Sequence, residues 1–459
     1  MLFRSPLDKS IDIGAMVSSD HLERVRSMVD ACEDGQIHRS GAALPEGGCF
    51  YPPTLITGLS TASPLMQEEI FGPVLVSTTF RTPSEAVDLA NNTRYGLAAS
   101  LWSENVNLAL DVAPKLAAGV IWVNGTNMFD AAAPFGGLRE SGFGREGGWE
   151  GLAAYTRPRG KAKALAQVAP FGNGNGETMS DGIDRTPKLY VGGKQARPDG
   201  GYSRNVQSRS GRILGQVPVA NRKDIRNAVE AARGAAGWSA TTGHLRAQIL
   251  YYIAENLSVR APAFAATLDA MQGGTSGKAE VEASIRRLFT YAAWADKYDG
   301  RIKGVPLRGV AMAMPTPVGV IGAICPDEAP LLGLISLMGP AMAMGNRVVL
   351  VASEAYPLAA TDFYQILDTS DVPGGVVNIL TGCHADLAQP LAAHADVDAV
   401  WCFSSTQLSA TVEAASAGNL KRSWVNDGKA RDWMGPAGEG RAFLEQATET
   451  KTIWVPYGE

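Results

Sequence analysis

The sequence predicts an α/β protein in which part of one α/β domain precedes a doubly wound domain built on a parallel sheet. Three observations carry this reading. β-rich runs alternate with helical periods along the chain. The runs of the second half, residues 318–324, 347–351, 376–380 and 397–403, are almost continuously apolar, as strands buried on both faces must be. Between the halves lies a stretch with no apolar period at all.

Taken in order, Leu22, Val25, Met28, Val29 and Cys32 recur at helical spacing. Thr82-Pro83-Ser84-Glu85 forms a capping box with proline at the first helical position. It opens a helix through Ala90 and follows the β-rich run 74–80. A second helix, 106–116, leads through Gly119 into a strand over residues 120–123. Residues 157–187 are rich in Gly and Pro, with GNGNG at 172–176, and are expected to be a linker. At about 3.3 Å per extended residue, such a segment does not fix how its neighbours dock. The second half opens with the strand-like Leu189-Tyr190-Val191 and a Gly-Gly turn, Asn221 caps a helix, and another helix spans 244–259. Strands and helices then alternate, the pattern of a Rossmann-like, doubly wound sheet.

Composition narrows the function. With 459 residues, 45% of them apolar and 19% charged, the chain suits about three domains or two large ones. A net charge of −5 offers no basic footprint for nucleic acid. The most apolar stretch, 330–345, is too short for a membrane span and is broken by Gly333, Gly339 and Pro340. Five scattered cysteines, none spaced as CxxC, argue against a disulfide framework or zinc site and fit a cytoplasmic location. No metal is expected, and the adjacent Cys383-His384 reads as an ordinary loop.

Five segments of the first half carry a resemblance. Glu68-Glu69-Ile70-Phe71-Gly72-Pro73-Val74 and Asn91-Asn92-Thr93-Arg94-Tyr95-Gly96-Leu97-Ala98 come first. Then follow GVIWVN at 119–124, Pro134-Phe135-Gly136-Gly137 and Ser141-Gly142-Phe143-Gly144-Arg145-Glu146. In this order they are similar to the second half of an aldehyde dehydrogenase catalytic domain. The second half of the chain resembles that family's amino-terminal, nucleotide-binding half at Trp294-Ala295-Asp296-Lys297-Tyr298, Pro317-Val318-Gly319-Val320, Gly339-Pro340-Ala341 and Val376-Val377-Asn378. The order looks like aldehyde dehydrogenase family 16, with two tandem units, the first cut at its front and the second degenerate. The resemblance implies a partial catalytic domain at 1–156, a linker at 157–187 and a Rossmann-like domain with a closing assembly strand at 188–459.

By that resemblance the complete protein would use NAD or NADP to oxidise a small aldehyde through a cysteine thioester, and would form a homo-oligomer. Glu69 would hold the hydroxyls of the nicotinamide ribose and Phe71 would pack beside the ring. Phe129 and Phe135 match aromatic positions of the aldehyde tunnel. No catalytic residue is assigned, because the nucleophilic cysteine would precede Met1.

The second half departs from the family pattern. Pro326-Asp327-Glu328 stands where the oxyanion-binding asparagine belongs. Its two carboxylates would oppose a pyrophosphate by roughly 1 to 4 kcal/mol each. Val351 replaces a lysine, Cys402-Phe403-Ser404-Ser405-Thr406 lacks the phosphate-loop glycine, and Val425 replaces the catalytic glutamate. The reading is therefore a fragment of an NAD(P)-dependent aldehyde dehydrogenase, inactive alone. A non-catalytic pseudoenzyme serving assembly or partner binding is the alternative.

Overall fold

The fold is that of a computed structural model, which describes residues 10–156 and 186–457. The expected linker lies outside the described residues except for its last two positions, as do the first nine residues of the chain.

In the first stretch, α1 (Ser19–Asp30) is capped by Ser18, whose side chain accepts from His21 N. Its buried Val25 and Val29 share a core cluster with Ile56 and Ile70. Strands β1 (Gln36–Arg39), β2 (Thr54–Thr57) and β3 (Val74–Ser77) form a small sheet in that order, with β2 and β3 parallel. A single turn, α2 (Pro64–Gln67), separates β2 from β3. Helix α3 (Pro83–Asn91) starts at the Thr82 cap, which accepts from Glu85 N, while the Glu85 carboxylate reaches back to Arg81 N. Then come β4 (Ala98–Leu101), α4 (Val106–Val112), β5 (Val120–Val123) and α5 (Gly148–Ala153). The helix expected through Leu116 ends earlier, because Pro114 tightens its last turn into a 3-10 segment.

The second stretch begins with two hairpins, β6 (Leu189–Val191) with β7 (Lys194–Ala196) and β8 (Ser203–Gln207) with β9 (Ile213–Pro218). Helix α6 (Arg222–Gly234) has the capping box Asn221/Asp224. Three more helices follow, α7 (Gly243–Val259), α8 (Ala261–Gln272) and α9 (Gly277–Trp294), then strands β10 (Arg301–Lys303) and β11 (Gly309–Pro317). The alternating part runs β12 (Val320–Ile324), α10 (Pro330–Ala343), β13 (Arg347–Val351), α11 (Leu358–Asp362), α12 (Tyr364–Asp368), β14 (Val377–Leu380), α13 (His384–Ala393), β15 (Ala399–Cys402), α14 (Thr406–Ser416) and β16 (Arg422–Val425). Helix α15 (Arg441–Gln446) and strand β17 (Thr448–Pro456) close the described chain.

Seven strands form the larger sheet, in the order β16-β15-β12-β13-β14-β6-β7. The five from β12 to β16 are parallel, and the order reverses between β12 and β15. One face is covered by α7, α9 and α10, the other by α6, α13 and α14. This is the doubly wound arrangement that the continuous apolar runs imply, extended at one edge by the antiparallel β6–β7 hairpin. Every residue of α10 is buried, which explains why Ser336, held by Arg287, is the one polar side chain in 330–343.

A second sheet has the order β10-β11-β17-β5-β4 and joins the two stretches. Strand β17 runs antiparallel to β11 over nine residue pairs and parallel to β5, with Ile453 opposite Ile121 and Trp454 opposite Trp122. The cores follow the strands: Ile453 is buried with Ala109, Val112 and Ile121, and Trp454 with Trp122 and Ala133. Docking is therefore carried by backbone pairing and shared core, independently of the segment between the stretches.

Candidate functional site

Glu69 and Phe71 lie on the turn between α2 and β3. Ile70 is buried in the small core while its two neighbours are exposed, so both side chains leave the turn on the solvent side. The turn is clamped from α1. The Arg24 guanidinium donates to the carbonyls of Glu69 (2.9 Å) and Ile70 (3.0 Å), and His21 Nε2 donates to that of Phe71 (2.6 Å). Phe71 adopts φ of 57°, a left-handed conformation that costs a non-glycine residue of order 1 kcal/mol or more. Its ring is 68% exposed, with the His21 ring 5.7 Å away. A strained backbone thus holds an aromatic ring out of the core.

Phe129 and Phe135 are brought together, 4.8 Å between ring centroids, and Phe129 also meets the Trp122 ring edge-on at 5.9 Å. Trp122 is on β5, and its indole N–H donates to the Met128 carbonyl at 3.0 Å, which turns the chain so that Phe129 folds back. Phe135 exchanges both backbone hydrogen bonds with Glu146, at 2.7 and 2.8 Å, closing the loop 135–146. Gly119 permits this crossing, since a Cβ there would stand 1.9 Å from the Gly136 carbonyl oxygen. The two aromatic positions therefore form one wall. Glu69 and Phe71 instead flank Ile70, which belongs to a different core cluster, around the small sheet.

In doubly wound sheets ligands bind outside the carboxyl ends of the strands where the order reverses. Here that place is between the loops after β12 and β15, and it is filled by the chain itself. The Trp433 indole N–H donates to Glu328 Oε1 at 2.9 Å, and its ring packs edge-on against Phe403 at 5.2 Å. The Arg431 guanidinium lies 4.9 to 5.8 Å from the centroids of Phe403, Trp424, Trp433 and Phe443, four rings around one cation. Arg287 fixes this segment from α9, donating to the Trp433 carbonyl at 2.8 Å, to that of Gly438 and to the Glu439 carboxylate at 3.0 Å.

Several other polar groups of the crevice are also committed internally. Asp327 Oδ1 accepts from Ser353 Oγ (2.5 Å) and Ala355 N (3.1 Å). Glu354 Oε2 accepts from His384 N at the start of α13, and Ser405 Oγ accepts from Leu408 N as the cap of α14. Burial pushes the Glu328 carboxyl above its ordinary value. Val351 is fully buried at the end of β13, and Val425 ends β16. A dinucleotide does not fit this set: the space holds an indole and a guanidinium, and the carboxylates that remain oppose phosphate.

The cysteines stand away from the aromatic wall. Cys325 and Cys402 are buried in the second stretch, and burial raises the Cys402 thiol to about 12, as its apolar strand implies. Cys32 Sγ donates to the Asp34 carbonyl. Cys383-His384 is not a loop but the start of α13, with His384 buried and its Nε2 donating to the Ala352 carbonyl. Trp433, Arg431 and Arg287 were not singled out from the sequence. The one available signal was a tryptophan and an arginine in a Gly-rich segment after β16, where the family pattern has no counterpart.

Comparison with known proteins agrees with the geometry. The model of the aldehyde dehydrogenase family matches residues 2–160 and 197–430. Over 160 residues the chain is 43% identical to 2-aminomuconic semialdehyde dehydrogenase of Danio rerio, covering 33% of each. Over 149 residues it is 39% identical to betaine aldehyde dehydrogenase of Bacillus subtilis, covering 31% of this chain and 30% of that one. The solved NAD+ complex of an aldehyde dehydrogenase from Bacillus cereus superposes with a TM-score of 0.51 at 26% identity, covering 52% of this chain and 50% of that one. An indole-3-acetaldehyde dehydrogenase in apo form gives 0.50 at 28% identity, covering 52% and 58%. The chain thus spans about a third of the length of these curated relatives and about half of the solved chains. With the family model matched across both stretches, the chain belongs to the aldehyde dehydrogenase family.

Proposed function

We propose that this chain is part of an NAD(P)-dependent aldehyde dehydrogenase of tandem, family-16-like organisation. Residues 1–156 form one unit and 188–459 a second, non-catalytic one. The first unit contributes Glu69 and Phe71 to orient a nicotinamide cofactor and Phe129 and Phe135 to line the path of a small aldehyde. The cofactor, when bound, accepts the hydride of aldehyde oxidation, and the relatives solved with NAD+ and with NAP support that choice of group. Glu69 and Phe71 do not move protons or form bonds in this reading; they bind and orient. The second unit serves assembly, and the family's oligomeric habit is extended to this chain on the same footing.

One observation carries the reading: β17 of the second unit completes the sheet of the first, while the second unit's own ligand crevice is closed by Trp433. The test is aldehyde-dependent NADH or NADPH formation by the pure 459-residue chain, across short aliphatic and aromatic aldehydes. None above a protein-free blank is expected, because no cysteine stands at the aromatic wall. Turnover would contradict it.

A second reading, a non-catalytic chain that binds partners, is favoured by β4, the edge strand of its sheet among the described residues, beside which Trp102 is 66% exposed. Concentration-dependent mass by light scattering, alone and mixed with a complete aldehyde dehydrogenase, separates the two. Mixed species support partner binding, and self-association alone supports the first reading.

A further inference from the structure

Arg431 is held by rings rather than by a carboxylate. Its guanidinium carbon lies 4.9 Å from the Trp424 ring centroid, 5.0 Å from Phe403, 5.3 Å from Phe443 and 5.8 Å from Trp433. Its Nη1 donates to the Ala437 carbonyl at 3.0 Å, and no carboxylate among the described residues pairs with it. The rings are placed without its help. Trp424 meets Phe403 and Phe443 edge-on, at 5.0 Å each, and Phe403 meets Trp433 at 5.2 Å. Phe403 and Phe443 are buried. Trp433 is fixed through its indole N–H by Glu328 and through its carbonyl by Arg287. Trp424 stands opposite Trp401 in the β15–β16 pair, 5.4 Å away. Arg431 itself is only half-buried, so one side of the box faces solvent.

We propose that these four rings form a guanidinium-binding box, and that Arg431 is a tethered occupant standing where an external guanidinium can bind. A guanidinium is planar and weakly hydrated, so it enters a cage of ring faces at a lower desolvation cost than an ammonium does. The Ala437 carbonyl adds an acceptor that a quaternary ammonium, having no N–H, cannot use. The ligand class is therefore a guanidinium on an alkyl stem, either an arginine of a polypeptide or a small free guanidine. A crevice that refuses a dinucleotide is on this account a site for the opposite charge. The inference stands apart from the aldehyde reading of the first unit, since every residue it uses belongs to the second.

Thermal unfolding of the full chain tests this. Arg431→Ala removes the tethered occupant. Methylguanidinium chloride is expected to raise the midpoint of this variant by about 2 to 4 °C over equal sodium chloride, the shift for a ligand several times above its dissociation constant. The parent chain, its box filled, is expected to show no such rise. Methylurea, of similar shape and uncharged, is expected to give none, and tetramethylammonium a smaller one. N-acetylarginine amide separates the two sources. A rise with it as well assigns an arginine of a polypeptide, and a rise with methylguanidinium alone assigns a small free guanidine. No rise with either, an equal rise in the parent chain, or an equal rise with methylurea or tetramethylammonium overturns the proposal. Arg431→Lys and Arg431→Gln keep the box filled and test its preference without added ligand. The lysine variant is expected to unfold about 2 °C or more above the glutamine variant. A glutamine variant of equal or higher midpoint overturns the cation preference on which the box rests.

Discussion

Lys451 Nζ donates to the carbonyl oxygens of Pro114 at 2.6 Å and of Leu116, so a cation from β17 lies buried against the end of the helical turn after α4. The partners suit it, since carbonyls at a helix end carry partial negative charge. Yet no carboxylate among the described residues joins them, and burial lowers the Lys451 ammonium to about 8 from its ordinary 10.5.

That shift sets a pH dependence for the joint. Below pH 8 the charged amine is held where burial penalises it. Between pH 8 and 10.5 the unfolded chain binds more protons at this group than the folded chain, so its contribution to stability rises with pH. Comparison of the parent chain with Lys451→Met isolates this group from buried thiols and tyrosines that titrate nearby. The stability of the parent relative to the variant is expected to improve by about 2 kcal/mol between pH 7 and pH 9.5, measured by urea unfolding. A constant or opposite difference would show that Lys451 is not buried as a cation.

Phe71 offers a test of backbone strain beneath an exposed ring. Its left-handed backbone favours glycine, so Phe71→Gly is expected to be more stable than Phe71→Ala by about 1 kcal/mol. Thermal unfolding of the two variants decides it. Equal stability, or a more stable alanine variant, would mean the turn relaxes and no strain is stored beneath the exposed ring.

Arg287 is 3% exposed and holds the segment that closes the crevice. Its replacement by methionine removes the cation and leaves the Trp433 and Gly438 carbonyls unpaired. A loss of about 3 to 5 kcal/mol is expected in urea unfolding. A loss under about 1 kcal/mol would show that the segment is held otherwise.

Closure of the crevice also makes a binding prediction. Calorimetric titration of the full chain with NAD+ and with NADP+ is expected to give no saturable heat at the second unit. If saturable binding appears and survives Glu69→Gln and Phe71→Ala, it must come from the second unit, and Trp433 would then have to leave the crevice.

Much of this was legible from residue pattern. The strands 120–123, 189–191 and 347–351 and the caps Thr82 and Asn221 follow directly from local chemistry. The replacements at Asp327, Glu328, Val351 and Val425 already pointed to a crevice without a ligand. What the sequence did not disclose is long-range. Lys451-Thr452-Ile453-Trp454 reads as a strand, but nothing in its apolar alternation names β5 as a partner, because strand pairing depends on register and shape rather than composition. The ring box around Arg431 is assembled from four positions between 403 and 443, and cation–ring contacts leave no spacing signature in the chain.

The joint between the two described stretches is tested most directly by cutting the chain between them. A specific protease site is placed within Gly172–Gly176, outside the described residues, and the cleaved protein is passed over a size-exclusion column without denaturant. With β17 paired to β5, both pieces are expected to elute together as one species of unchanged size. Thr452→Pro, which removes the N–H donated to Gly119, is expected to let them separate. Separate elution of the pieces from the parent chain would contradict the joint and everything derived from it.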